Sequence, residues 1–259
     1  MMGAIAGDVV GSVREHEYFS TKSVDFELFP GRSRFTDDSV LTVAVADWIL
    51  NGGNLNDYFH DYVARYANAG FGGSFLRWAK RRDDRPYNSW SNGAAMRVSP
   101  TAYAKDDLNS VLELAKATAE VSHNHEEGIR GAQVTAGSVF IARTGGSKSE
   151  IREFVTGMGY DLRRSIDEIR PEYYFDVSCA GSVPESVTAF LESSSFENAI
   201  RLAISLGGDA DTMAAIAGAI AEPFYGGVPA ELWEMVRGYL DDDLLTVVDA
   251  FCAVCQVLI

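Results

Sequence analysis

Gly3, Gly7 and Gly11 recur at every fourth position of residues 3–13, GAIAGDVVGSV, among residues that are otherwise mostly small or apolar. At that spacing the glycines share one face of a helix. Another backbone can approach that face closely, although each glycine weakens an isolated helix. The helix is therefore expected to be buried, and the rest of the chain must supply what lies against it. Strand signals are scarce, while apolar residues at helical spacing recur to the end of the chain. The expected fold is all-α, with ten or more helices forming one domain over residues 1–259. No Pro-rich, Ser-rich or charged linker divides it, and about half the residues are hydrophobic, enough for one sizeable core.

Residues 38–50 are apolar nearly all round and stop at Asn51-Gly52-Gly53, which reads as a central buried helix with a glycine stop. Leu55, Tyr58, Phe59, Tyr62, Val63 and Tyr66 trace one face of the next. Further helices are expected over 106–121, 128–143, 148–158 and 183–192, then in a segment closed by Gly207-Gly208, and over 209–221, 229–240 and 242–258. Ser182 with Glu185, and Ser194 with Glu197, read as capping boxes. Residues 16–35 and 70–100 are rich in turn signals, and a long loop of the second kind in a compact domain tends to be functional.

Two short stretches gather oxygen donors just before helical patterns: Thr36-Asp37-Asp38 and Asp209-Ala210-Asp211-Thr212. Four carboxylates and two hydroxyls, without sulfur or imidazole, suit Mg²⁺ or Mn²⁺ better than Zn²⁺. Asp and Thr also cap helix N-termini. On spacing alone the two readings stand even, although one side chain is enough to cap a helix and four unneutralised carboxylates would repel one another if they met.

A net charge of −15 and a pI near 4.6 argue against nucleic acid or an anionic membrane as the main partner. A phosphorylated ligand would need metal ions or backbone donors to offset repulsion. The three cysteines make no disulfide framework; Cys252 and Cys255 lie in an apolar, helix-spaced tail and read as core thiols one turn apart. Residues 1–12 lack a basic leader and carry Asp8, and the apolar stretches are too short to span a bilayer, so a cytoplasmic setting is expected. Locally, Asn92 to Arg97 reads as a simple turn, Arg14-Glu15-His16-Glu17 and Lys80-Arg81-Arg82 as solvated charged ends. The histidines of Ser122-His123-Asn124-His125 are expected to be exposed or to face a ligand rather than to bind metal.

Five motifs stand in an order found in a known family: Gly3-Ala4-Ile5-Ala6-Gly7-Asp8 with Gly11 and Glu15, Thr36-Asp37-Asp38, Asn92 to Arg97, Ser122-His123, and Gly207 to Thr212. Across nearly its whole length the chain resembles the ADP-ribosylglycohydrolases. The resemblance implies a compact all-α fold, a single-domain multi-helix orthogonal bundle with a binuclear Mg²⁺ or Mn²⁺ centre in its cleft, and removal of ADP-ribose from a modified protein or related conjugate. By position it implies Thr36, Asp37, Asp38, Asp209, Asp211 and Thr212 as metal ligands. Glu15 becomes a catalytic group near the metals and the scissile bond, with Asp38 beside it. Ser91, Asn92, Gly93 and Met96 are implied to contact pyrophosphate and ribose, and His123 and Gly208 to line the cleft. Two departures, Glu126 for a frequent Pro and Glu222-Pro223 for small residues, avoid the implied metal ligands. The implied partner is an ADP-ribosylated protein or ADP-ribose conjugate, with no membrane and with nucleic acid only as an ADP-ribosylated substrate. A non-catalytic ADP-ribose-binding or crystallin-like structural protein, or a hydrolase of another ribosyl-phosphate metabolite, stays open, as does the acceptor: arginine, serine, a nucleobase or O-acetyl-ADP-ribose.

Overall fold

A computed structural model describes residues 1–15, 18–255 and 257. Its helices are α1 (Met2–Gly11), α2 (Asp37–Asn51), α3 (Leu55–Arg65), α4 (Gly73–Lys80) and α5 (Gly93–Met96). After a 3₁₀ turn at Ser99–Tyr103 come α6 (Leu108–Glu120), α7 (Glu126–Arg143), α8 (Lys148–Gly157), α9 (Ile166–Ile169) and α10 (Cys179–Glu192). The chain continues through α11 (Phe196–Ile204), α12 (Ala210–Phe224), α13 (Ala230–Arg237) and α14 (Asp242–Cys255). Among the described residues there is no sheet, only an isolated antiparallel bridge between Ser91 and Ser178.

The glycine stripe of α1 finds its partner at the far end of the sequence. A Cβ at Gly3 would stand 2.2 Å from the Gly218 carbonyl oxygen, one at Gly7 2.1 Å from that of Ala214, and one at Gly11 2.6 Å from that of Ala210. Descending numbers on α12 against ascending numbers on α1 make the pair antiparallel, with matched steps of four. Side chains of any size would separate these backbones. The contact is mutual, because a Cβ at Gly218 would stand 2.2 Å from the Gly3 carbonyl oxygen. All of α1 is buried, as are Ala210–Glu222 of α12. Around them α2, α7, α10 and α11 close one continuous apolar core. The opposite end of the pair is fixed by Glu222 Oε2, which accepts from the Met1 ammonium at 2.5 Å and the Gly3 N–H at 2.9 Å.

Some boundaries differ from the sequence expectation. Helix α10 starts at Cys179, capped by Ser178, whose Oγ accepts from Gly181 N, so Pro184 lies inside the helix. Ser182 is not its cap but donates back to the Ser178 carbonyl at 2.6 Å. Helix α11 is capped by Ser195, with Asn198 Oδ1 accepting from Ser194 N. Glu197 instead pairs with Arg201 at 2.7 Å, a one-turn ion pair on the same helix face. Helix α12 continues through Glu222-Pro223, and Glu222 is buried there in an ion pair with the Met1 ammonium. His125 caps α7 by accepting the Glu127 N–H at 3.0 Å. The turn-rich stretch 70–100 holds α4, α5 and part of the 3₁₀ turn between its loops.

Candidate metal and ligand site

At the end of the glycine-lined pair, α1 and α12 present Asp8 and Asp211 to the start of α2. Asp8 is fully buried. Its Oδ1 accepts from Thr36 Oγ1 at 2.6 Å, and its Oδ2 accepts from the Thr36 and Ser39 N–H groups at 2.9 and 3.1 Å and from Ser39 Oγ. Thr36 has a single hydroxyl hydrogen, and Asp8 is its shortest acceptor. The Thr36 oxygen in turn caps α2 by accepting from Asp38 N at 3.3 Å. The first of the two oxygen-rich stretches thus begins with a cap that Asp8 holds in place.

The second behaves differently. Asp209 is the N-cap residue of α12, yet its side chain makes no capping hydrogen bond; Oδ2 accepts instead from Asn92 Nδ2 at 2.7 Å. Thr212 Oγ1 is 3.3 Å from Asp38 Oδ2, bringing the two stretches together. The carboxylates form two triads, each with ligand atoms within 4.8 Å of one another: Asp8, Asp38 and Asp211, and Glu15, Asp209 and Asp211. Asp211 belongs to both. Asp37 belongs to neither and lies on the wall of the cleft, below Gly70.

Electrostatics bear on what this arrangement can hold. Burial, and after it neighbouring carboxylates, raises Asp38 and Asp211 well above the ordinary carboxylate range. Burial also raises Asp8, against the pull of its hydrogen bonds to Ser39 and Thr36. Asp37 is partly exposed as a residue, but its carboxyl is desolvated; that burial, then the charge of Asp8, brings it to about 8. Burial brings Asp209 to about 6, partly offset by hydrogen bonds from Asp211 and Asn92. Such a cluster holds its full negative charge at neutral pH only with cations beside it. The Asp38 Oδ1 atom is buried without a hydrogen-bond partner among the described residues. An orphaned carboxylate oxygen amid oxygen-only donors fits a hard divalent cation such as Mg²⁺ or Mn²⁺, and the two triads offer two adjoining positions.

The carboxylates floor a cleft of about 440 Å³. Ser91, Asn92, Gly93, Met96 and His123 line it, whereas Gly208 packs under Tyr173, where a Cβ would stand 2.3 Å from the ring. One wall is a hydrogen-bonded chain. Arg97 Nη2 donates to Ser122 Oγ at 2.9 Å, Ser122 Oγ lies 2.8 Å from His123 Nδ1, and His123 Nε2 lies 2.9 Å from Ser91 Oγ. Arg97 can only donate, so the Ser122 hydrogen is free to turn to Nδ1, leaving Nε2–H to point at Ser91. Burial, then the nearby Arg97 charge, keeps His123 neutral by lowering its pKa well below the usual value. Arg97 is fully buried 4.4 Å from the Phe59 centroid; burial lowers it to about 10, still protonated at neutral pH. Trp90 and Phe175 stand half exposed at the mouth.

Asp8 and Ser39 escape local motif reading. Asp8 carries a signal nonetheless, as the sole charged residue of a helix otherwise made of small and apolar residues.

Known proteins bear on this geometry. The sequence profile described as ADP-ribosylglycohydrolase matches residues 1–258. The ADP-ribosylarginine hydrolase Tri1 of Pseudomonas putida (strain GB-1) is 26% identical, the match covering 91% of this chain and 72% of that protein. The ADP-ribosylhydrolase ARH3 of Mus musculus is 26% identical over 95% of this chain and 88% of its own, and that of Homo sapiens 26% over 95% and 90%. A solved structure titled ADP-ribosylglycohydrolase-related protein complex has the same fold, with a TM-score of 0.70, 24% identity and 95% of each chain covered.

Proposed function

The chain belongs to the ADP-ribosylglycohydrolase family, and from that premise we propose that it is a divalent-cation-dependent hydrolase that cleaves the glycosidic bond between ADP-ribose and an acceptor, releasing ADP-ribose. The observation that carries this reading is the pair of triads sharing Asp211, with the orphaned Asp38 oxygen beside them, on the floor of a ligand-sized cleft. Asp38, Asp209, Asp211 and Thr212 would hold the cations. Asp37 joins from the cleft wall, and Thr36 contributes mainly by capping α2. When bound, two cations supply Lewis-acid orientation of the ribose hydroxyls and polarisation of the attacking water.

The protein's own groups supply the rest. Departure of the acceptor leaves positive charge on the ribosyl C1″, and the carboxylates around it stabilise that charge. Glu15 sits in the outer triad and is only partly buried, so it can take a proton from water at the cleft floor. The Ser91 hydroxyl, held by neutral His123, offers a hydrogen-bonding group to the ligand. Arg97 supplies a fixed positive charge behind that wall, which favours a diphosphate in an otherwise acidic protein.

The test is a panel of ADP-ribosyl arginine, ADP-ribosyl serine, ADP-ribosylated nucleobase and O-acetyl-ADP-ribose, assayed for ADP-ribose release with Mg²⁺, Mn²⁺ or EDTA. Release from at least one member that EDTA abolishes is expected. No release from any member would overturn the hydrolase reading.

A further inference from the structure

The described part of the connection between α1 and α2 has no regular structure, and cationic side chains tie it down. Arg14 Nη2 donates to the Glu27 carbonyl at 3.2 Å, and Arg201 Nη1 donates to the carbonyls of Val24 and Phe26 at 3.0 and 2.8 Å. Both guanidinium groups lie against the Phe26 ring, at 4.4 and 5.0 Å from its centroid. Arg14 thus braces the connection from within, and Arg201 of α11 holds it from outside. Lys22 works in the other direction: it belongs to the connection and reaches out of it.

Lys22 Nζ donates to the carbonyls of Arg170 at 2.8 Å, Tyr173 at 2.6 Å and Leu206 at 2.5 Å. An ammonium has three hydrogens, and here each has one carbonyl acceptor. All three carbonyls follow helix ends, where helical acceptors go unused and positive charge is favoured. Leu206 stands three residues before Asp209. Gly207 follows it in the left-handed region, at φ +69°, and Gly208 is pressed under Tyr173, whose hydroxyl donates to the Gly181 carbonyl at 2.7 Å. Lys22 and Tyr173 therefore both hold the turn that delivers Asp209 and Asp211.

The geometry points to Lys22 as a positioning residue: its ammonium fastens the connection before α2 to the Leu206–Asp209 turn and keeps Asp209 and Asp211 within reach of one cation. This role rests on the cation-dependent reading above. The charge must sit at one point to meet three converging carbonyls, which a planar guanidinium cannot reproduce. Lys22 is exposed, so its removal leaves no hole in the core.

Lys22→Ala tests the role, with Lys148→Ala as control. Lys148 Nζ also bonds a carbonyl, that of Ser193, and the Tyr225 hydroxyl, but none of these residues lines the cleft. Amide hydrogen exchange at residues 206–211 is measured in the metal-free protein, and Mn²⁺ affinity by calorimetry. Neither readout needs substrate, and exchange needs no metal, so failure of hydrolysis in the panel would leave the role of Lys22 decidable. K22A is expected to exchange faster at the turn and to bind Mn²⁺ about tenfold more weakly, while K148A retains the parent values in both. Added n-propylammonium, which restores the missing three carbons and charge, is expected to recover the Mn²⁺ affinity of K22A. It should not recover that of K22M, whose side chain fills the path, and K22R should stay weak. Parent-like exchange and affinity in K22A or K22M, full affinity in K22R, or a K22A defect that n-propylammonium leaves unrelieved would each overturn the assignment.

Discussion

Asp8 and Asp38 reach Asp211 from inside packed helices, whereas Glu15 and Asp209 reach it from the ends of irregular segments. The inner group is placed by core packing: α1 can lie only where its glycines meet α12, and Asp8 then dictates where α2 begins. The outer group is placed by polar side chains, Asn92 bonded to the Asp209 carboxylate and Lys22 to a carbonyl of the turn before it. One half of the site is thus as rigid as the core, while the other rests on a few polar contacts near the surface. An enzyme that must admit a bulky conjugate and release ADP-ribose gains from that division, because segments held by few buried contacts open at lower free energy.

The sharpest way to break the comparison is to remove the residue common to both halves. Asp211→Asn is expected to lower turnover about a thousandfold or more and to abolish measurable Mn²⁺ binding. Calorimetry showing parent affinity would mean that the triads do not cooperate. Gly7→Ala attacks the inner half through packing alone. Its Cβ would meet the Ala214 carbonyl oxygen at 2.1 Å, and the backbones must part, at about 3 kcal/mol in denaturant unfolding. A loss below about 0.5 kcal/mol would show that the helix pair is not the rigid half.

Glu15→Gln addresses the outer half and should separate chemistry from stability. Turnover falls about a hundredfold, while unfolding free energy stays within about 0.5 kcal/mol. Full hydrolysis with unchanged metal occupancy would remove Glu15 from the mechanism. The smallest effect is one of pH. Folded-state values of about 6 for Asp209 and about 8 for Asp37 lie above the unfolded carboxylate value. Between about pH 4 and 8 the folded chain therefore holds protons that the unfolded chain has released, so stability in EDTA falls as pH rises through that window. Mn²⁺ should offset the fall, and its increment in Tm should grow from pH 6 to pH 8. An increment independent of pH would contradict the account of buried carboxylates awaiting cations.

The glycine stripe, the main helices and both oxygen-rich stretches were legible in the sequence, because each is written in neighbouring residues. What the two stretches do was not. Both look like helix caps locally, yet Thr36 caps its helix and Asp209 does not, a difference set by Asp8 and Asn92, residues 28 and 117 positions away. Asp8 stood out as a lone charge, but its role stayed hidden because its chemistry appears only when α1 packs beside Thr36 and Ser39. The start of α10 was misplaced because Pro184 resembles a first-turn residue, although Ser178 already supplies the cap. Lys22 gives no sequence signal at all, since its three acceptors are backbone atoms.

The pairing of α1 with α12 also sets a timetable. Gly3 and Gly218 are about two hundred residues apart, and at roughly 5–20 residues per second of synthesis the earlier helix waits about 10–40 s for its partner. Throughout that interval a mostly apolar, glycine-weakened segment lacks the partner that its glycine stripe fits. Contacts of such long sequence separation also slow the search for the native state. The carboxylates are spared assembly around an incomplete core, since Asp8 and Asp211 meet only when the last central helix has been made. In a growing chain, the capacity to hold cations arrives as one of the final events of folding.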